Sequence, residues 1–140
     1  MLELSDGKVV ALAETPLGFR HGPKTIVNGK TLVVMFLSSD PYARKYEMDL
    51  LRELRSDAVA GRVVALSANE ADAGQEEGEW IVVSAPPQTS NLGLCFPYVV
   101  FAQSLAFLQS LTLGLRPDTP NARGVVNRVV QGVTIYPWNP

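Results

Sequence analysis

The chain has 140 residues, 46% of them hydrophobic and 19% charged, with a formal net charge of −2. That length fits one domain able to bury a core, and the composition is ordinary for a soluble globular protein. No basic stripe is present, so binding to nucleic acid has no electrostatic support.

The N-terminal "MLELSDGK" lacks the basic-then-apolar pattern of a signal peptide and resembles the tail of a helix. "KVVALAE" (8–14), short and β-branched, predicts a buried strand, and "TPLGFRHGPKTIVNGK" (15–30), rich in Gly and Pro, predicts a loop. "TLVVMFLS" (31–38) is the clearest strand, apolar throughout as in a parallel sheet covered on both faces. "SSDPYARKYEMDLLRELRSD" then switches to helical periodicity, with Tyr42, Tyr46, Leu50 and Leu54 recurring every fourth residue and Leu51 beside them. Asp40 or Ser39 can cap this helix, and Pro41 suits its first position.

"RVVALSA" (62–68) predicts another strand, and the acidic, aperiodic "NEADAGQEEGE" (69–79) a solvated surface loop with no regular metal-ligand spacing. "WIVVSA" (80–85), closed by Pro86-Pro87, predicts a fourth strand. The single cysteine, Cys95, lies between Leu94 and Phe96; it cannot form an internal disulfide and reads as a buried, inert thiol in a reducing, cytoplasmic setting. A long helix is expected over 98–114, entered through Pro97 and ended at Gly114. It is apolar nearly all round, which implies burial on more than one side; its two glutamines, two serines and a threonine suit a core helix better than a membrane span. Trp80 and Trp138 are expected to be core or interface aromatics. The tail, residues 116–140, is punctuated by Pro and Gly and returns to β-rich character near Val133–Tyr136. Alternation of strands and helices is α/β logic: a parallel sheet of about four strands flanked by helices, in one domain that begins part-way through its fold.

The only histidine, His21, stands between Arg20 and Gly22-Pro23, with Lys24 beyond. A histidine in such a loop is either a half-exposed side chain of no consequence or a proton-transfer group, because imidazole titrates near neutral pH. "SSD" at 38–40 follows a strand and opens a helix, so Ser38 and Ser39 sit either at a plain N-cap or at an anion site built from free backbone N–H groups.

The run "GFRHGPKTIVNGKTLVVMFLSSDPY", together with "NRVVQGVTIYP" at the other end, resembles the second sugar-isomerase (SIS) domain of bacterial tagatose-6-phosphate ketose/aldose isomerases, also described as galactosamine-6-phosphate deaminase/isomerases. The resemblance runs from Met1 to Trp138. A more distant similarity is to the isomerase domain of glucosamine-6-phosphate synthase, which carries a like "HGP" segment. The resemblance implies a truncated, doubly wound SIS-type domain lacking its first strand and most of its first helix. It implies that His21 matches the histidine concerned with opening the sugar ring. It also puts Glu3, in "MLEL", at the glutamate that moves a proton between C1 and C2. The lysine of that glutamate's pattern would lie ahead of Met1, and Gln131 stands near the place of the synthase's terminal lysine.

Aldose–ketose interconversion needs a base for the C1/C2 proton and an acid/base for ring opening, tasks that suit Glu3 and His21 respectively. Arg20 and Lys24 can raise the local positive potential and help to hold a phosphate or an enediolate. No metal or organic cofactor is implied. The leading expectation is a sugar-phosphate isomerase or deaminating isomerase acting on a (2-amino)hexose 6-phosphate, represented by its C-terminal domain. A second is a non-catalytic SIS module that binds a sugar phosphate or mediates assembly, and a third is a remnant that folds only by pairing with another chain. An exposed sheet edge and the all-apolar helix predict a homodimer or higher oligomer, with no nucleic acid or membrane as partner.

Overall fold

The computed structural model describes residues 1–121, 123–124 and 132–138. They form two compact units, one of residues 13–100 and the other of residues 1–12 with the C-terminal part from 101.

The larger unit is built on a parallel sheet of three strands in the order β1-β2-β3, with β1 at Leu32–Phe36, β2 at Arg62–Ser67 and β3 at Glu79–Val82. Register is continuous from Leu32 opposite Arg62 to Phe36 opposite Leu66, and from Val64 opposite Glu79 to Ser67 opposite Val82. The expected parallel sheet flanked by helices is therefore present. The strand covered on both faces is β2, where Ala65, Leu66 and Ser67 are consecutively buried; Leu32 and Phe36 of β1 keep 45% and 40% of their surface exposed. Position in the sheet explains the exchange, since β1 is an edge and β2 is central.

Segment 8–14 is not a strand. It forms no ladder, and Val10 is 82% exposed. A strand exists through its partner's hydrogen bonds, and β-branched residues without a partner stay merely extended. The same holds for Val133–Tyr136, exposed and without strand structure. Gln131 lies outside the described residues.

Helix α1 (Pro16–Arg20) and a 3-10 turn at Pro23–Ile26 occupy the segment read as a loop. Helix α2 (Pro41–Asp57) starts as the sequence predicts, with Pro41 in its first turn and Asp40 accepting the N–H groups of Tyr42 (3.0 Å) and Ala43 (2.7 Å). Its Leu50, Leu51 and Leu54 join Met35, Leu37 and Ala65 in one apolar core, against which Phe19, Met48 and Trp80 pack. Tyr42 and Tyr46 do not reach that core; they remain exposed and share a hydroxyl contact of 3.0 Å. The acidic segment holds a short helix, α3 (Glu70–Gln75), capped by the Asn69 side chain on the Ala71 N–H.

Helix α4 (Asn91–Thr112) begins seven residues before the predicted start at 98 and runs through Pro97. Ser90 supplies its start, with Oγ accepting the Gly93 N–H at 3.3 Å. An internal proline removes one helical donor, a loss a 22-residue helix tolerates. Its end is as predicted: Gly114 takes φ +70°, while Leu115 N–H bonds Ser110 O and Gly114 N–H bonds Leu111 O, the paired bonds of a Schellman stop. The burial expected all round it is not found; Leu92, Phe96, Val100 and Leu108 are each more than half exposed. By length and composition α4 could also cross a membrane, a measure that apolar helices of soluble domains meet too. Its Tyr98 hydroxyl donates to the Leu37 carbonyl at 2.7 Å, tying the N-terminal half of the helix to the sheet.

In the smaller unit, Glu3–Ser5 forms a 3-10 turn rather than the tail of an α-helix. Buried Ser5 organises it, donating to Leu2 O (2.9 Å) and accepting from Val9 N–H (3.0 Å). Asp6, in the left-handed region, accepts from Asn121 Nδ2 at 2.6 Å.

Candidate functional site

The chemistry-bearing turn starts at Thr15, whose Oγ1 accepts the Gly18 N–H (3.1 Å) and caps α1. His21 closes that helix, its N–H reaching Leu17 O at 3.2 Å, and Gly22-Pro23 leads into the 3-10 turn. The imidazole is exposed and makes no hydrogen bond among the described residues. Its cationic neighbours do have partners. Arg20 Nη2 stands 2.8 Å from Glu53 Oε2 on α2, and Lys24 bonds both Glu53 Oε1 and Asp57 Oδ2, the latter at 2.6 Å. The hydrogen bonds to Asp57 and Glu53 raise the Lys24 pKa, and the bond from Lys24 lowers that of Glu53. Two cations and two carboxylates make the cluster neutral, so the positive field expected here is largely compensated.

Glu3 is exposed in the 3-10 turn of the smaller unit, whereas His21 belongs to the larger one.

Ser38 and Ser39 lie where β1 gives way to α2, at the carboxyl end of the strands. Asn91 Oδ1 accepts from Ser38 Oγ (3.0 Å), Ser39 N–H (2.7 Å) and Ser39 Oγ (2.9 Å). The Ser38 N–H donates to Glu47 Oε2 (2.7 Å) and the Asp40 N–H to Ser38 Oγ (2.9 Å). Every N–H an anion would use is thus engaged by a side-chain oxygen, and Asp40 holds the cap.

Beside this loop is a polar network with no counterpart in the sequence reading. Arg44 donates to Ser38 O (2.7 Å) and Ser67 Oγ (2.8 Å) and pairs with Asp72, which also receives the Ser67 hydroxyl and Asn69 Nδ2 (3.1 Å). Burial raises the Glu47 pKa, opposed by the Ser38 N–H; burial also raises that of Tyr98. One signal was present: Glu47 precedes Leu50, Leu51 and Leu54 at helical spacing, a carboxylate on the buried face of α2. Ser67, Asp72 and Asn91 had none, because their meeting depends on how the strand ends converge.

Cys95 is exposed, contrary to the buried thiol expected; of the apolar run Leu94-Cys95-Phe96 only Leu94 is buried, as an α4 with one covered face dictates. Trp80 is half-buried, with its indole N–H on Glu76 O (3.0 Å) and the Arg55 guanidinium 4.9 Å from its ring; Trp138 is 87% exposed. Two shallow grooves, along α2 at Pro41, Arg44 and Met48 and along α4 at Gln103 and Phe107, include none of the candidate site residues Glu3, Arg20, His21, Lys24, Ser38 and Ser39. Among the described residues no group of three or more His, Cys, Asp or Glu could hold a metal ion.

A parallel sheet flanked by helices, with a network of polar side chains at the carboxyl ends of its strands, makes this an α/β domain. No family model matches the chain. It is 48% identical over 138 residues to D-galactosamine-6-phosphate deaminase AgaS of Escherichia coli, covering 99% of this chain and 36% of that protein. It is 42% identical to AgaS of Shewanella sp. (strain ANA-3), covering 98% of this chain and 32% of that one. The crystal structure of tagatose-6-phosphate ketose/aldose isomerase from Escherichia coli superposes with a TM-score of 0.80 at 42% identity, over 99% of this chain and 34% of that structure. The chain is homologous to the C-terminal part of these relatives, and its parallel sheet flanked by helices matches an α/β SIS-type fold. It spans about a third of the length of the relatives it matches.

Proposed function

We propose that this chain is the C-terminal domain of a cytoplasmic sugar-phosphate isomerase or deaminating isomerase whose substrate is a (2-amino)hexose 6-phosphate. The observation that carries the reading is the 48% identity to a D-galactosamine-6-phosphate deaminase across 99% of the chain. In this reading His21 is the acid/base that opens the sugar ring, and Glu3 removes the C2 proton and returns it to C1. With a 2-amino sugar the proton shift leaves an imine at C2, and water then releases ammonia and leaves the ketose phosphate. Arg20 and Lys24 bracket the ring-opening residue, their charge largely balanced by Glu53 and Asp57. Ser38 and Ser39 line the substrate side at the carboxyl end of β1, where binding would exchange their hydroxyl bonds to Asn91 for bonds to substrate. The domain organisation is a single SIS domain ending in the tail from residue 116, and assembly is as a homodimer or higher homo-oligomer. The exposed Leu92, Phe96 and Val100 of α4 support assembly.

Ammonia release from galactosamine 6-phosphate, and interconversion of tagatose 6-phosphate with its aldose, test the activity. His21→Ala and Glu3→Gln are each expected to lower kcat by about 10²–10⁴-fold; unchanged turnover in either variant removes that residue from the reaction. One observation favours the alternative of a non-catalytic module: Arg20 and Lys24 are already paired with α2 carboxylates. For that reading, galactosamine 6-phosphate would shift backbone amide resonances without being converted. Light scattering at micromolar concentration addresses assembly, and a monomer counts against the oligomer.

A further inference from the structure

We propose that Glu53 is a positioning residue for His21: its carboxylate clamps Arg20 and Lys24, the two cations that bracket the His21-Gly22-Pro23 turn, and so fixes where the imidazole stands. The proposal deepens the catalytic reading of His21 and, for its activity arm, rests on it.

Nothing holds the imidazole directly, since it is exposed and makes no hydrogen bond among the described residues. Its position therefore follows the backbone of the turn, which beyond Phe19 against the core is held by short-range bonds such as His21 N–H to Leu17 O and Gly22 N–H to Phe19 O. α1 is only five residues long, and Gly22 adopts φ −150°, ψ −88°, a conformation no regular element enforces. Glu53 supplies what is lacking. One carboxylate oxygen, Oε2, takes Arg20 Nη2 on the near side of His21, and the other, Oε1, takes Lys24 Nζ on the far side. A single group on a 17-residue helix thus pins both ends of the turn. That helix is a rigid base, because Leu50, Leu51 and Leu54 on either side of Glu53 are buried in the core.

Asp57, one helical turn further, contacts only Lys24 in this cluster, so it serves as an internal comparison. Isolated surface ion pairs contribute little, largely because two long side chains must be ordered for one contact. A shared carboxylate orders three side chains with one set of contacts. The clamp also changes the role of the cations: paired with Glu53, they act on His21 through the chain rather than by meeting a phosphate.

Amide hydrogen exchange on the full chain reads this without any assumption about activity. Glu53→Gln is expected to speed exchange of the His21, Gly22 and Val27 amides about tenfold, as loss of two pairs predicts, while core amides of β2 are unchanged. Asp57→Asn is expected to have a smaller effect. Unchanged exchange in the turn, or an equal rise throughout the unit, overturns the proposal. Should Glu53→Gln fail to fold, Arg20→Gln and Lys24→Met report on the same clamp, each with a partial rise in exchange if the proposal holds and none if it does not.

In the activity arm, Glu53→Gln is expected to lower kcat about tenfold with KM unchanged, and Glu53→Asp to restore part of it. A fall in KM would mean that the freed Lys24 or Arg20 contacts substrate, which contradicts the clamp. Complete absence of turnover in the unaltered chain would count against the enzymatic reading alone, while the exchange measurement still decides the clamp.

Discussion

Replacing Asp72 by alanine probes the network at the carboxyl end of the sheet. Asp72 is paired with Arg44, accepts the Ser67 hydroxyl, and receives Asn69 Nδ2 at 3.1 Å. Its side chain is 12% exposed and that of Arg44 18%, so water cannot readily replace the lost carboxylate. Removing one partner of a fully buried pair costs roughly 3–5 kcal/mol, because the other charge is stranded. Here Arg44 retains the Ser38 carbonyl and the Ser67 hydroxyl, and both side chains keep some solvent. The expected loss is accordingly about 2–3 kcal/mol. With a urea slope of about 2 kcal/mol/M, that shifts the unfolding midpoint by about 1 M. The measurement is urea unfolding followed by Trp80 fluorescence in a Trp138→Phe background, benign because Trp138 is 87% exposed. Adding Arg44→Met completes a double-mutant cycle, with an expected coupling of at least about 1 kcal/mol. A single-variant loss below about 0.5 kcal/mol, with coupling near zero, would refute the view that this network holds the strand ends together.

Leu51→Ala, at a fully buried position between α2 and the sheet, is expected to cost about 3–4 kcal/mol by thermal or urea unfolding. Tyr98→Phe removes the hydroxyl bonded to the Leu37 carbonyl and is expected to cost about 1 kcal/mol, with little change in slope. The pH dependence of stability separates Glu53 from Glu47 on α2. Lys24's hydrogen bond lowers the folded pKa of Glu53, so its contribution is present above the unfolded carboxylate value and is lost as pH falls through the folded one. The stability difference between the unaltered chain and Glu53→Gln should therefore close on acidification. Asp57 and Glu53 raise the Lys24 pKa, so that contribution is full below the unfolded lysine value and disappears at alkaline pH above the folded one. Glu47 behaves oppositely to Glu53. Burial raises its folded pKa, so Glu47→Gln should gain stability relative to the unaltered chain as pH rises from acid to neutral. A constant difference across that range would exclude the burial effect.

The elements most legible in the sequence were those specified by local signals. The apolar run at 31–38 and its counterpart at 62–68 are strands, and Asp40-Pro41 starts a helix whose Leu50, Leu51 and Leu54 face the core. Gly114 ends α4 for a reason local to one residue, its left-handed conformation. The start of α4 is less legible, because Pro97 has the local signature of a boundary while the cap that starts the helix, Ser90, lies seven residues upstream. Among the candidate site residues, the succession Arg20-His21-Gly22-Pro23-Lys24 could be read along the chain, but the partners of its cations could not, since Glu53 and Asp57 come from another element.

That division follows the range of the forces involved. Caps, turn residues and hydrophobic period act over a few neighbouring residues, so the α/β order of this chain is written in its linear text. Pairing and burial depend on which segments meet. The β-branched residues at 8–14 have strand composition and no ladder, Tyr42 and Tyr46 follow the apolar period of α2 yet face solvent, and Cys95 sits in an apolar run but is exposed. For the same reason Arg44, Asp72, Ser67 and Asn91 become a site only where the parallel strands end together, a proximity that no spacing in the sequence encodes.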